Sequence, residues 1–347
     1  MQFRTAFPVA LLVGSVLGAA ATRAGVSDAL RPGNPSSLSA ALPRLLPLPE
    51  VPAAPAEVAA RWDIPVVRNA PVQRFVDLFT NKQQDRMALY LKRSGRYEGM
   101  IRAKLRAKGM PEDLVYLSMI ESGFNPTARS RASAVGLWQF MAGTARDYGL
   151  RVDSYVDERK DPEKSTDAAL RYLRDLHRQF GSWYLAAAAY NTGENRVARV
   201  MRQETGAVKG REQDFWRIRH RLPSETREYV PLMVAAALIG KEPHKYGMGR
   251  VERWMPLETD TVAVPGGTDL GVVADAVGVG ESELAKLNPH LVKKMTPPGK
   301  KDFPVRVPEG RSPRYAANFE RVRVAAGARE ARERTEASAA RRRAAEA

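Results

Sequence analysis

From Val72 to Gly240 the apolar positions recur at mixed spacings of three and four, the period that lines side chains along one face of an α-helix. Phe75, Val76 and Phe79 form one such set, Met87, Leu89, Tyr90 and Leu91 the next, and Met100, Ile101 and Leu105 a third that stops before Gly109. Pro111 then suits a first helical position, and Glu112 and Asp113 sit where the positive end of the helix dipole favours acids. In that helix Leu114, Leu117, Ser118 and Glu121 share a face, and Gly123 is the expected C-terminal breaker. A polar, weakly periodic link over 125–135 gives way to the apolar run 136–141. Further helices are predicted over 165–180 and over 183–189, the second capped by Ser182, and again from Ser224 onward. In this last one Tyr229 and Val230 turn inward, Pro231 kinks or restarts the helix, and a buried stretch over 232–239 closes the domain at Gly240.

The pattern changes after residue 250. Thr261-Val262-Ala263-Val264 alternates and is β-branched, Gly266-Gly267 turns the chain, 270–276 and 282–287 read as short helices, and Val305-Arg306-Val307-Pro308 returns as a strand. The expected organisation is an all-α domain over 71–250, a small α+β unit (strand-helix-helix-strand) over 256–310, and a tail over 311–347. That tail is rich in Arg, Ala and Glu without a sustained heptad, and is expected to be disordered or partly helical. Ahead of the helical domain, prolines at 32, 35, 43, 47, 49, 52, 55 and 65 predict an extended linker over 25–70. Residues 1–24 resemble an export signal: one early Arg4, an apolar core too short to span a bilayer, and Ala19-Ala20-Ala21 for a peptidase.

Composition narrows the classes. With 347 residues, 44% of them hydrophobic, the chain can build two or three modest cores. There is no cysteine, which excludes disulfides and thiol chemistry, and the four histidines, His177, His220, His244 and His290, show no ligand spacing. No metal or organic cofactor is implied. The net charge is +16, and the tail, with ten Arg against five Glu, carries only five of those charges. Such a diffuse basic field suits an anionic polymer; no helix-turn-helix, RNA-binding aromatic motif or zinc module accompanies it, so nucleic acid is not the expected partner.

Glu121 is the candidate for chemistry. It ends a helix, where the dipole gives a carboxylate no help, and Met119, Ile120, Phe124, Trp138, Phe140 and Met141 lie near it in sequence. Desolvation there favours the protonated acid, the form that can give a proton to a leaving group. A solvated helical glutamate is the alternative that spacing alone leaves open. On composition Trp138 reads as core more than as a sugar platform, and the acids of Asp157-Glu158-Arg159-Lys160-Asp161-Pro162 read as solvated or capping groups ahead of a helix.

Four ordered motifs carry a resemblance: Ile120-Glu121-Ser122-Gly123-Phe124-Asn125-Pro126, Gly136-Leu137-Trp138-Gln139-Phe140-Met141, Ala189-Tyr190-Asn191-Thr192-Gly193, and Glu225-Thr226-Arg227-Glu228-Tyr229-Val230-Pro231. Over about 71–240 the chain resembles the lytic transglycosylases, with a catalytic domain of the soluble lytic transglycosylase type and flanks like those of membrane-bound D-type members. The resemblance implies a lysozyme-like catalytic fold, peptidoglycan glycan strands as the partner, and an exported enzyme of the periplasm or envelope. It implies Glu121 as acid and then base in cleaving the β-1,4 bond between N-acetylmuramic acid and N-acetylglucosamine, leaving 1,6-anhydromuramoyl ends. Substrate contacts are implied for Ser122, Gln139, Phe140, Met141, Tyr190, Asn191 and Tyr229. The C-terminal unit resembles a LysM domain through Leu287-Asn288-Pro289 and Thr296-Pro297-Pro298-Gly299, which implies glycan binding. A hydrolytic muramidase of goose-lysozyme type and an inactive wall-binding scaffold are the alternatives. The chain departs from the family pattern at Ser133 and Asn195, where glycine is usual, and at Ala142, where proline is usual. It also lacks the acylated cysteine of the lipid-anchored members, so membrane association is expected only through an uncleaved N-terminal segment.

Overall fold

Asn69 sets the first helix: its side chain accepts a hydrogen bond from Val72 N at 3.1 Å, and α1 (Ala70–Thr80) buries Val72, Phe75, Val76 and Phe79. The structure is a computed structural model that describes residues 61–346; the expected export signal and the greater part of the expected linker lie outside the described residues. From Trp62 onward the chain belongs to one compact unit, so the packed domain starts earlier than residue 71. Residues 61–69 are ordered against it, because Ile64 is buried, Asp63 N and Ile64 N donate to the Asp113 carboxylate, and Asp63 accepts from Glu112 N.

α2 (Gln84–Ala107) and α3 (Val115–Ser122) follow, then α4 (Ala142–Asp147), α5 (Pro162–Phe180), α6 (Trp183–Thr192), α7 (Glu194–Thr205), α8 (Glu212–Ile218) and α9 (Ser224–Lys241). α9 is the axis of this helical domain, buried from Tyr229 through Gly240 and packed on α1, α3 and α6. The expected break at Pro231 does not occur. Proline lacks the N–H that would bond the carbonyl of Arg227 one turn back, and Arg219 Nε takes that place at 2.7 Å, so the helix runs through.

The smaller unit pairs β1 (Thr259–Val264) with β2 (Phe303–Pro308) antiparallel, Val262 opposite Val305, with α10 (Leu270–Val277) and α11 (Glu281–Leu287) between them. Val262, Val264, Val305 and Val307 point inward as period-two alternation requires. The tail differs from the expectation. It is a helix, α12 (Ser312–Glu346), whose first turns place Tyr315 and Phe319 in the core, with the Tyr315 hydroxyl donating to Ala263 O at 2.9 Å. Only its later part is a solvated basic helix, which is why local composition concealed the packed start.

The two domains share a polar seam. Asp157 N donates to His290 O and Val292 N to Tyr155 O, each at 2.9 Å, and Arg306 of β2 reaches Asp161 at 2.8 and 3.0 Å. Asp161 does cap α5, accepting from Glu163 N and Lys164 N, but it is not solvated: Asp157, Glu158 and Asp161 are all buried. Among the described residues no helix is long and apolar enough to cross a membrane.

Candidate active site

α3 delivers Glu121 to its own C-terminus, where Gly123 stops the helix in the left-handed conformation at φ 58°. A Cβ at Gly123 would lie 2.0 Å from the Tyr90 ring, so glycine is required there for space as well as for φ. The loop opposite is fastened to the same helix. Ser118 Oγ and Ser122 Oγ both donate to Leu137 O, at 3.2 and 2.9 Å. Val135 and Phe140 exchange two backbone bonds of 3.1 Å, and the turn between them bends through Gly136 at φ 91° and Gln139 at φ 46°. A Cβ at Gly136 would meet Arg159 O at 1.8 Å. From the far side, the buried Arg159 guanidinium, paired with Asp157, donates to Ser133 O and Phe140 O at 3.2 Å each.

Two tyrosines close the site. Tyr229 on α9 donates its hydroxyl to Glu121 Oε1 at 2.5 Å, and Tyr190 on α6 donates to Trp138 O at 2.7 Å. Glu121 Oε2 is out of solvent and has no hydrogen-bond partner among the described residues, although the residue as a whole keeps some exposed surface. Burial pushes the carboxyl up to about 8; the Tyr229 hydrogen bond pulls the other way and the charge of Glu225 adds to the rise. Burial, reinforced by the Glu121 charge, holds both Tyr190 and Tyr229 well above the usual phenol range, so they remain donors.

The structure brings Glu121, Tyr229 and Tyr190 together, with Phe140 edge-on to Tyr190 at 6.3 Å. Asn191 stands one step back: its Nδ2 donates to Glu225 at 3.3 Å and its Oδ1 accepts from Thr226 at 2.7 Å. The Gln139 amide nitrogen is spent on its own loop, on Gly136 O at 2.9 Å and Ala128 O at 3.3 Å, and Ser122 is tied to Leu137. Met141 is half-buried and leads into α4. Trp138 is fully buried with its Nε1 on Thr166, which makes it core. Ser133 takes φ 66°, a left-handed angle at a position where the family pattern usually has glycine.

Sequence reasoning passed over Glu225. It lies one helical turn before Tyr229, on the same face of α9, and burial raises its carboxyl above the ordinary range while Asn191 pulls the other way. The available signal was that spacing in Glu225-Thr226-Arg227-Glu228-Tyr229 once Tyr229 is placed inward. Arg159 was also passed over, hidden in a run read as a loop.

Residues 99–212 match the family described as Transglycosylase SLT domain, and 258–324 that described as Lytic transglycosylase MltD, LysM-like domain. Membrane-bound lytic murein transglycosylase D of Escherichia coli (strain K12) is 36% identical over 193 residues, 55% of this chain and 42% of that protein. Peptidoglycan transglycosylase gp16 of Escherichia phage T7 is 39% identical over 104 residues, 29% of this chain and 8% of that protein. The solved 70 kDa soluble lytic transglycosylase of Escherichia coli overlaps 52% of this chain and 31% of its own, at 22% identity and a TM-score of 0.36. The chain thus spans less than half the length of these curated relatives. The second match ends inside α12, in keeping with the packing of Tyr315 and Phe319 into that core. By these two matches the chain carries, over 99–212, a domain of the transglycosylase SLT family and, over 258–324, a LysM-like domain of the lytic transglycosylase MltD family.

Proposed function

We propose that the protein is a peptidoglycan lytic transglycosylase of the cell envelope in which Glu121 alone serves as acid and then base. One observation carries this reading: a carboxyl buried with no cation beside it among the described residues, pushed up to about 8, with one oxygen on Tyr229 and the other without a hydrogen-bond partner among those residues. At neutral pH such a group is protonated, and Oε2 is the atom that holds a proton with no acceptor for it among the described residues. A glycosidic oxygen brought there takes that proton as its bond to the muramoyl anomeric carbon breaks. The acetamido oxygen of the sugar stabilises the cation that develops. Glu121, now a carboxylate held by the Tyr229 hydroxyl, accepts the proton of the muramoyl 6-hydroxyl as that oxygen closes on the anomeric carbon. Proton and charge balance, and no water is consumed.

Glu225 supports a second reading. A carboxylate facing the same site can hold a water, and water attacking in place of the 6-hydroxyl makes the enzyme a muramidase. Mass spectrometry of muropeptides released from purified peptidoglycan separates the two. Anhydromuramoyl ends, lost by about a thousandfold in Glu121→Gln, are the expected result. Reducing ends move the assignment to the hydrolase, and no release with retained binding to the wall leaves a scaffold.

A further inference from the structure

The helical and LysM-like domains enclose a groove of about 700 Å³ that lies outside the set of residues around Glu121. One wall comes from α2, with Arg93 and Arg96, and from the Phe124–Thr127 loop that leaves Glu121. The other comes from α11 and the start of the loop after it, including Lys286 and Asn288. Its floor is the connector between the domains, where Trp254 is held in place: Trp254 N donates to Lys92 O at 2.8 Å, and the absence of a side chain at Gly95 makes room, since a Cβ there would lie 2.2 Å from Trp254 O. Trp254 nevertheless keeps 39% of its surface exposed.

The chemistry of the groove is specific. The Arg96 guanidinium lies 4.5 Å from the centre of the Trp254 ring, and its Nε is out of solvent with no acceptor among the described residues. Neither Arg93 nor Lys286 forms an ion pair among the described residues. Three cations beside a partly exposed indole suit a ligand that joins carboxylates to a flat or apolar body, with the arginines able to grip carboxylates by two hydrogen bonds each. On the LysM-like side Glu258 and Glu283 also line the groove and leave a partner for a ligand ammonium.

We propose that this groove binds the peptide-bearing part of a glycan strand, with peptide carboxylates on Arg93 and Arg96 and the apolar body on Trp254. The inference rests on the transglycosylase reading above, and it adds a site that discriminates strands by their peptides. The two sites share a structural element, because the Phe124–Thr127 loop forms one wall of the groove and also follows the C-cap, Gly123, of α3, the helix that carries Glu121 in its last turn.

The test compares the full chain with its Arg93→Ala and Trp254→Ala variants on two substrates, intact purified peptidoglycan and glycan strands stripped of peptides by an amidase. The expected result is a roughly tenfold loss of kcat/KM on intact material, carried by KM, with stripped strands cleaved as by the unsubstituted chain. An equal loss on both substrates, or no loss on either, overturns the proposal. If the unsubstituted chain cleaves neither substrate, the enzymatic reading fails by itself, and the groove is then judged by calorimetric titration with a soluble disaccharide-peptide. Binding that Arg93→Ala weakens about tenfold upholds the groove, and binding that is absent or unchanged overturns it.

Discussion

Two buried carboxylates, Glu121 in the cleft and Asp161 at the seam between the domains, have opposite acidities. Glu121 has a phenol on one oxygen and no hydrogen-bond partner on the other among the described residues, and burial pushes it up to about 8. At Asp161 burial acts in the same direction, but Arg306 hydrogen-bonds both oxygens and adds its charge, and the start of α5 supplies a backbone donor, so its carboxyl ends below the ordinary range. Desolvation is therefore common to both, and the partner decides the outcome. A carboxyl becomes a proton donor at neutral pH where the fold withholds a cation, and a structural anchor where it supplies one.

The comparison breaks most sharply at Glu121 itself. Its folded-state pKa lies above that of an unfolded glutamate, near 4.5, so its effect on stability is neutral below pH 4.5 and grows unfavourable as pH rises to about 8. Glu121→Gln removes that penalty. The variant is expected to be inactive yet more stable than the unsubstituted protein at pH 8, by about 2 kcal/mol once the partial exposure of the residue is discounted, and equal to it at pH 4. Denaturant midpoints at the two pH values check this, and activity of the unsubstituted enzyme should decline as pH rises through about 8.

Asp161→Ala should do the reverse, leaving the chemistry alone and loosening the frame. It strips the cap of α5 and leaves the partly buried Arg306 without its main acceptor, a loss of about 3 kcal/mol visible as a lower Tm, while activity at low temperature survives. Retained Tm would show that the seam carries little stability. At the same seam His290 is pushed down to about 4 by burial, with the Asp161 charge opposing, so it stays neutral in the fold while an unfolded histidine takes a proton below about 6.5. Stability should accordingly fall as pH drops from 6.5 towards 4, and a His290→Gln variant should flatten that slope in thermal unfolding.

Tyr229→Phe tests the remaining hydrogen bond of the cleft. That bond lowers the pKa of Glu121, so its removal raises the pKa and moves the alkaline limb of the activity profile upward, with about a tenfold fall in rate as the carboxylate form loses its support. An unmoved limb would detach Tyr229 from the proton. The smallest effect is expected at Ser133, where φ 66° strains any residue with a Cβ; Ser133→Gly should stabilise the fold by about 1 kcal/mol in denaturant midpoint with little change in rate.

Much of the helical domain could be read locally, because caps, breakers and period are properties of neighbouring residues: Ser182 caps α6 and Gly123 stops α3 where the pattern puts them. The exceptions are positions whose partner is distant in sequence. Pro231 does not interrupt α9 because Arg219 bonds the carbonyl that the proline leaves free. The supposed loop acid Asp161 is buried because Arg306 arrives from β2 to pair it, and the tail packs because β1 and α10 offer Tyr315 and Phe319 a surface.

The site divides along the same line. Glu121 at a helix end, the glycine after it and the order of the four motifs are written in the chain, and so is the family likeness they carry. What converts that glutamate into an acid is the set of groups that three other segments bring to it and the cation none of them brings, together with Glu225 turning inward beside Tyr229. A sequence determines which side chains a helix presents; the dielectric, the hydrogen-bond partner and the nearest charge depend on what packs against that face, and only the tertiary structure decides them.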